Sequence, residues 1–198
     1  METDPILSRD PFELFEELLH EAAATGMDNP EAMVVSTVDG EGRPSSRVLL
    51  LKGLDRGGFV FFTNLESRKA LELDGHPDVC LNFYWRETEK QVRIEGLAEK
   101  VSDGEADAYF ATRPRGSQIG AWASQQSRRL KDRDELLAAV AHEEQRFAGR
   151  DVPRPPHWGG YRVSPRRIEV WISGEFRLHD RSVFEREGDG WRRFKVYP

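Results

Sequence analysis

The chain has 198 residues, of which 38% are hydrophobic, so it can bury one sizeable core and we expect a single domain over residues 1–198. Its formal net charge of −6 argues against a general nucleic-acid-binding protein, because such proteins carry a basic excess over one face. Cys80 is the only cysteine, which excludes an intrachain disulfide and predicts a reducing, cytoplasmic location. The segment "METDPILSRDPF" lacks a signal-peptide pattern, and the apolar runs are too short to cross a bilayer.

The first half of the chain predicts one helix followed by antiparallel strands. "DPFELFEELLHEAAATG" repeats apolar residues at helical spacing and ends at Gly26, which predicts an amphipathic helix. "AMVVSTV", "SSRVLLLKGL" and "GGFVFFTN" follow, separated by the turn signals "DGEGRP" and "DRGG", and "VCLNFYW" and "KQVRIEGLAEKV" form a further pair. Five strands with only the short helix "SRKALEL" between them favour a barrel or sandwich over a βαβ fold.

The second half predicts helices and then a return to strands. "DGEADAYFATRP", "GSQIGAWASQQS" and "KDRDELLAAVAHEEQRFAG" are helical in pattern, and "RDVPRPPHWGG" then interrupts the chain with proline and glycine. The tail from "YRVSPRRIEVW" onwards alternates as strands do, with "GDG" as a hairpin turn. We therefore expect one α+β domain built on an antiparallel barrel.

Several common chemistries find no support in the sequence. The five histidines have no zinc-binding spacing, and the chain contains no Walker A loop, no dinucleotide-binding glycine fingerprint and no "GxSxG" elbow, so no metal site is expected. Basic residues instead form local groups in "SRVLLLK", "ESRKA", "TRPRGS" and "FRLHDR". Local basic groups in an acidic protein favour small anionic ligands.

Two of these basic groups can each be interpreted in two ways. In "FFTNLESRKA" a strand ends at Thr63 and a helix begins near Asn64 or Ser67, so Arg68 and Lys69 lie in its first turn and oppose the helix dipole. A bound phosphate would make this arrangement favourable, and a plain helix start with solvated cations is the alternative.

"GEFRLHDR" is the second such group. As a strand it would place Arg177, His179 and Arg181 on one face, either against an anion or as a solvated sheet edge.

Seven segments in order carry a resemblance to a known family: "DPFELFEELL", "AMVVSTVD", "SRVLLLK", "FFTNLESRKA", "RPRGSQIGAWASQQS", "WGGYRV" and "RLHDR". Over nearly its whole length the sequence resembles the pyridoxamine 5'-phosphate oxidase family of flavoproteins. The resemblance implies an FMN-binding split barrel, with an antiparallel six-stranded barrel-like core and flanking helices, in a homodimer with active sites at the interface. It also implies FMN-dependent oxidation of pyridoxamine and pyridoxine 5'-phosphate to pyridoxal 5'-phosphate, with O2 as acceptor and H2O2 as product.

The same resemblance implies a role for each of the basic groups. The expected FMN-binding residues are Arg47, Phe62, Thr63, Ser67, Arg68, Lys69, Gln91, Gln126, Ser127, Trp171 and Arg181. Of these, four are expected to reach the flavin from the other subunit, namely Gln126, Ser127, Trp171 and Arg181. The expected pocket for the substrate phosphate contains Lys52, Tyr109, Arg113 and Ser117. Arg177 and His179 would hold the substrate ring over the flavin and are the catalytic candidates.

Some positions leave questions open. Arg47 and Lys52 are five positions apart and would face opposite ways on a regular strand, so we expect either a bulge or a site served from two directions. Phe62 stands where the family commonly has tyrosine, and "METDPILSRD" offers no obvious counterpart of the family's N-terminal arm.

Two alternative functions remain. The first is a related flavin oxidase of the phenazine-biosynthesis type, and the second is a non-catalytic protein that binds flavin or pyridoxal phosphate. The expected phosphate pocket argues against the first, because a substrate without a phosphate does not need it.

Overall fold

The computed structural model describes residues 4–55 and 57–198. The start of "METDPILSRD" and Arg56 of the predicted "DRGG" turn lie outside the described residues. The helices of the described part are α1 (Pro11–Ala24), α2 (Arg68–Gly75), α3 (Asp103–Thr112), α4 (Arg115–Ala123) and α5 (Arg133–Arg146). Its strands are β1 (Ala32–Val38), β2 (Pro44–Leu50), β3 (Gly53–Asp55), β4 (Gly58–Asn64), β5 (Asp78–Trp85), β6 (Lys90–Lys100), β7 (Trp158–Ile172), β8 (Asp180–Glu187) and β9 (Gly190–Lys195).

The strands form one antiparallel sheet in the order β2-β1-β5-β6-β7-β4-β3, and the hairpin β8-β9 pairs with β7. Six of them, from β2 to β4 in this order, make the curled core, while β3 pairs only with β4. The predicted α+β class and antiparallel barrel-like core are confirmed. The strands predicted in the first half of the chain are present, with "SSRVLLLKGL" divided between β2 and β3, and the helices flank the sheet.

The curled sheet closes where the chain passes from β2 to β3. The Leu51 amide donates to the Glu31 carbonyl at 2.9 Å, on the β1 side, whereas the next amide, of Lys52, donates to Val60 of β4 at 2.8 Å. The chain thus changes its pairing partner between these two residues. This break in the regular strand answers the question raised by Arg47 and Lys52, because the strict alternation of faces does not continue across it.

Helix α1 closes one side of the main core. Asp10 caps it by accepting from the Phe12 amide at 2.9 Å, and Pro11 occupies the first helical position, where its missing N–H costs no bond. Phe15 is fully buried and meets Phe59 and Phe83 edge to face, with ring centroids 5.0 and 4.9 Å away. This aromatic packing, together with the buried aliphatic residues of α1, holds the helix to the sheet.

A second, smaller core joins the helices of the middle segment to the sheet. It consists of Phe110 of α3, Ile119 of α4, Phe147 and Val152 of the segment after α5, and Trp158 at the start of β7. This core fixes the junction between α3 and α4 beside β4. No helix in the described part of the chain is long and apolar enough to cross a membrane.

The segment after β7 differs from the sequence prediction. "GEFRLHDR" is not a continuous strand, since Glu175–Arg177 form a short 3₁₀ turn and β8 begins only at Asp180. Phe176 and Arg177 have φ values of 54° and 65°, in the left-handed region that side chains rarely adopt. The expectation that Arg177, His179 and Arg181 share one face of a strand is therefore wrong, because a tight turn replaces the alternation.

Candidate functional site

The junction between β4 and α2 has the arrangement that the sequence predicts. The Asn64 side chain accepts from the Glu66 amide at 2.7 Å and turns the chain at the strand end. Helix α2 then begins at Arg68, with the buried Ser67 in the capping position, although the Ser67 side chain makes no capping bond. Arg68 and Lys69 thus lie in the first turn, where two cations oppose the helix dipole.

Lys69 is a buried cation surrounded by neutral partners. Lys69 is 6% exposed, and its ammonium group donates to Thr63 Oγ1 at 2.9 Å, Ser67 Oγ at 3.0 Å and Gln126 Oε1 at 2.8 Å. Burial, reinforced by the positive charge of Arg47, lowers the pKa of Lys69 from 10.5 to about 8. Among the described residues it forms no ion pair. The site therefore favours a bound anion that would compensate this charge.

Arg47 and Arg68 meet at one buried carboxylate, that of Glu72. Arg68 Nε donates to Glu72 at 2.7 Å, and Nη2 of Arg47 lies 3.5 Å from it. Burial opposes ionisation of Glu72, but hydrogen bonds from the hydroxyls of Thr37 and Ser45 and from Arg68 outweigh it, so its pKa is lowered. Arg47, Arg68 and Lys69 carry three positive charges, and Glu72 carries one negative charge. The net charge of this group is therefore +2.

Glu72 is a site residue that the sequence-based prediction does not include. The signal that could have found it is its position four residues after Arg68, the spacing at which helical side chains pair.

A second cationic site lies next to the first. A cavity of about 530 Å³ is lined by all four residues expected to hold the substrate phosphate, Lys52, Tyr109, Arg113 and Ser117. Burial lowers the pKa of Arg113, whose guanidinium lies 4.9 Å from the ring centroid of Trp158. Its Nη1 atom is buried and has no hydrogen-bond partner in the described structure. A buried donor of this kind is costly unless a ligand satisfies it.

The break between α3 and α4 positions this cavity. Helix α3 ends at Thr112, Arg113 has extended backbone and Pro114 caps α4, which begins at Arg115, so one helix leads directly into the next. Phe62 of β4 stacks on Tyr109 at 4.1 Å and on Trp158 at 5.3 Å between ring centroids. This stack fixes the wall of the cavity, and a smaller cavity of about 260 Å³ that shares Arg113, Ser117 and Trp158 with it extends to Gln126.

The remaining expected residues form a separate group on the sheet. Gln91 of β6 pairs with Trp171 of β7, which pairs with Arg181 of β8, so the three lie in one row across neighbouring strands.

The His179 ring packs on Trp171 with centroids 4.6 Å apart, and its Nδ1 accepts from the Gly174 amide at 3.2 Å. That bond leaves Nε2 as the ring nitrogen that carries the proton in neutral His179. Arg177 is exposed in the adjacent turn.

The described part of one chain does not bring this row to the cationic sites. Phe62 pairs with Gly160 of β7, whereas Trp171 lies eleven residues further along the strand, about 36 Å of strand length. Two of the residues expected to reach the flavin from the other subunit lie beside the first cationic site of their own chain. Gln126 contacts Lys69 of its own chain, and Ser127 lines a cavity of about 850 Å³ with Arg68 and Glu72 of its own chain. By contrast, Gln91 belongs to the row that contains Trp171.

The cationic residues fit the FMN phosphate that the sequence resemblance implies. Lys69 is a buried ammonium without a carboxylate partner in the described residues, and the charge around it amounts to two positive charges, as a phosphate dianion requires. The hydroxyls of Thr63 and Ser67 add donors of the kind that bind phosphate oxygens. The cations and hydroxyl groups of this site are therefore the observation that supports binding of the FMN phosphate here.

Comparison with known proteins agrees with this chemistry. Residues 19–147 match the family model described as pyridoxamine 5'-phosphate oxidase, and residues 158–198 match that described as the pyridoxine 5'-phosphate oxidase C-terminal dimerisation region. A protein from Rubrobacter xylanophilus named pyridoxine/pyridoxamine 5'-phosphate oxidase is 55% identical over 96% of this chain and 87% of its own. A Myxococcus xanthus protein of the same name is 56% identical over 96% and 92%.

Solved structures show the same fold. PhzG from Burkholderia lata, in complex with tetrahydrophenazine-1-carboxylic acid, superposes with a TM-score of 0.92 at 33% identity, over 98% of this chain and 97% of that one. An FMN-binding protein from Nostoc punctiforme related to pyridoxamine 5'-phosphate oxidase gives a TM-score of 0.77 at 16% identity, over 96% and 99%. The family models and the relatives above 50% identity together show that the chain belongs to the pyridoxamine 5'-phosphate oxidase family.

Proposed function

We propose that this chain is an FMN-dependent oxidase that converts pyridoxamine 5'-phosphate and pyridoxine 5'-phosphate to pyridoxal 5'-phosphate, with O2 as acceptor and H2O2 as product. The observation that carries the proposal is the pair of adjoining cationic sites, one around Lys69 and one around Arg113. A flavin phosphate and a phosphorylated substrate together need two such sites. A substrate without a phosphate would leave the buried Nη1 of Arg113 unsatisfied.

The residues of the chain bind and orient both ligands. Bound FMN supplies the two-electron acceptor. Lys69, Arg68 and Arg47 hold its phosphate, while Thr63, Ser67, Gln126 and Ser127 complete that end of the site. Arg113 offers two parallel N–H groups to the substrate phosphate, with Lys52, Tyr109 and Ser117 around it. Arg177 and His179 hold the substrate ring and are the catalytic residues of this proposal.

We propose further that the working unit is a homodimer with a shared active site. One subunit supplies the cationic sites, and the other supplies the row of Gln91, Trp171 and Arg181 together with the adjacent turn. The match of residues 158–198 to a dimerisation region supports this arrangement, because that segment contains both Trp171 and Arg181. The chain would act as a single domain in the cytoplasm, as its lone cysteine suggests.

Reduction of bound flavin by substrate without oxygen tests the proposed activity. Mixing the FMN-loaded protein with pyridoxine 5'-phosphate in an anaerobic stopped-flow spectrometer should bleach the oxidised flavin absorbance, and O2 should restore it. Tetrahydrophenazine-1-carboxylic acid, the ligand bound to the Burkholderia lata relative, is the comparison substrate. Bleaching by that compound alone would favour the phenazine-type oxidase, and no bleaching by either would favour a non-catalytic binding protein.

A further inference from the structure

Glu169 is a buried carboxylate on the face of β7 opposite the main core, and it has no part in the proposed binding of FMN or substrate. It is 2% exposed and lies on β7 directly opposite Arg93 of β6. Three arginines converge on it, with Nη2 of Arg93 at 3.4 Å, Nη2 of Arg167 at 3.0 Å and Nε of Arg181 at 2.9 Å. A buried carboxylate with three cationic neighbours is a built site rather than a solvated surface charge.

The contacts to Arg181 fix the plane and direction of its guanidinium group. Nε and Nη2 both approach Oε1 of Glu169, at 2.9 and 2.8 Å, and Nη1 donates to the Tyr197 carbonyl at 2.8 Å. These contacts use three of the five N–H groups that an arginine carries. One N–H on Nη1 and one on Nη2 remain for a ligand.

The strand register links this arrangement to the proposed flavin site. Arg181 pairs with Trp171, and Glu169 lies two residues before Trp171 on the same face of β7. The carboxylate also separates three cations that would otherwise repel one another. Without it, the guanidinium of Arg181 would lose its main anchor and turn away from Arg93 and Arg167.

We propose that Glu169 is the positioning residue for Arg181, holding that guanidinium ready to bind the flavin. The inference rests on the proposed function, because it assumes that Arg181 contacts FMN. Glu169 itself touches neither ligand in this scheme. It acts through the orientation of Arg181 and through the balance of charge among the three arginines.

The test measures FMN affinity of the full-length protein by flavin fluorescence, for Glu169→Gln, Arg181→Ala and the double variant. We expect Arg181→Ala to weaken binding about tenfold to a hundredfold and Glu169→Gln about tenfold, as expected for charged contacts. In the Arg181→Ala background, Glu169→Gln should add less than about twofold, because its effect passes through Arg181. If Glu169 only supported the fold, Glu169→Gln would weaken FMN binding by the same factor with and without Arg181. That result would overturn the inference.

Glu95→Gln is the matched control. Glu95 lies on the same face of the sheet as Glu169 and accepts from Arg93 at 3.4 Å, but it has no contact with Arg181. The Glu95→Gln variant should therefore bind FMN as tightly as the wild type. Unchanged or tighter FMN binding by Glu169→Gln overturns the positioning role alone. Unchanged binding by Arg181→Ala overturns both this inference and the proposed role of Arg181.

Arg181→Lys provides an independent test that does not depend on the folding of Glu169→Gln. A lysine retains the charge but cannot reproduce a planar group anchored at both Glu169 and the Tyr197 carbonyl. It should therefore bind FMN as weakly as Arg181→Ala does, and wild-type affinity in Arg181→Lys would overturn the inference.

Discussion

The Nζ atom of Lys69 lies 2.8 Å from Oε1 of Gln126, a residue 57 positions away in the chain. This contact joins the first turn of α2 to the loop after α4, and Thr63 donates to the same amide oxygen at 3.2 Å. The ammonium thus has only uncharged hydrogen-bond partners in the described structure. The protein therefore retains a buried positive charge for which a ligand phosphate is the natural partner.

Lys69→Met should weaken FMN binding while leaving the fold intact. Methionine has a similar length, and the removed charge-assisted contact to phosphate is worth roughly 1.5 to 3 kcal/mol, or about ten- to 150-fold in affinity. Flavin fluorescence titration at pH 7 measures the change. Lys131→Met removes an exposed lysine, 84% accessible, and should leave the affinity unchanged. Equal affinities for the wild type and Lys69→Met would show that the phosphate does not bind here.

Lys69 should also make the stability of the FMN-free protein depend on pH. Burial lowers its pKa in the folded protein to about 8, against 10.5 for an ordinary lysine, so the folded state disfavours the charged form. The free-energy cost of burying the charged ammonium is fully present below pH 8. It is relieved as the pH rises from 8 to 10.5, because in that range the unfolded chain binds the proton and the folded protein does not. Relative to Lys69→Met, the free energy of unfolding should rise by up to about 3 kcal/mol over that range. Urea denaturation at several pH values checks this, and a constant difference between the two proteins would contradict it.

Arg113→Ala should impair the use of phosphorylated substrates selectively. Its buried Nη1 has no partner in the described structure, so the phosphate of the substrate would satisfy it. We expect kcat/KM for pyridoxamine 5'-phosphate to fall about ten- to a hundredfold, and kcat/KM for unphosphorylated pyridoxamine to be the same in the variant as in the wild type. Steady-state oxygen consumption with both substrates provides the comparison. Equal losses for the two compounds would mean that Arg113 does not recognise the phosphate.

The sequence predicts those parts of the molecule that depend on local periodicity. Asp10 and Pro11 mark the start of α1, and "NLESRKA" marks the start of α2, because capping and strand-end signals are local. The turn at Phe176 and Arg177 was missed, since two consecutive left-handed residues that are not glycine carry no propensity signal.

The missed contacts of the site depend on pairing between distant segments. Glu169 meets Arg181 only because β7 and β8 pair in one particular register, and no spacing in the sequence predicts that register. The contact between Gln126 and Lys69 is likewise not predicted by any spacing in the sequence. This contact requires the loop after α4 to fold back over β4, which is a property of the tertiary structure.

Gly58→Ala should destabilise the barrel strongly. Gly58 has φ of 136°, and a Cβ atom placed there would lie 2.0 Å from the Val163 carbonyl oxygen in the neighbouring strand β7. Relief requires movement of the β4–β7 pairing, so we expect a loss of at least about 3 kcal/mol in unfolding free energy. Gly40→Ala is the control, because its Cβ would meet no atom within 4 Å. Thermal and urea unfolding of both variants measure the difference, and similar stabilities would refute the clash.

Arg177 and Arg181 should affect different ligands, although they are only four residues apart. Arg177 is exposed in the turn after β7, whereas Arg181 is anchored at Glu169 beside Trp171. Arg177→Ala should therefore keep FMN bound and lower kcat/KM by about tenfold to a few hundredfold, while Arg181→Ala should weaken FMN itself. His179→Ala should resemble Arg177→Ala, with a larger fall in kcat than rise in KM if the imidazole acts mainly in the transition state.

The backbone of the turn provides the control for this last prediction. Arg177 has φ of 65°, so Arg177→Ala keeps the left-handed strain and removes only the side chain, whereas Arg177→Gly removes the side chain and relaxes the turn. If the guanidinium is what holds the substrate ring, both variants should lose the same activity at equal flavin content. Activity retained in Arg177→Ala but lost in Arg177→Gly would instead assign the effect to turn geometry. Flavin loss from Arg177→Ala would mean that Arg177, rather than Arg181, contacts the cofactor.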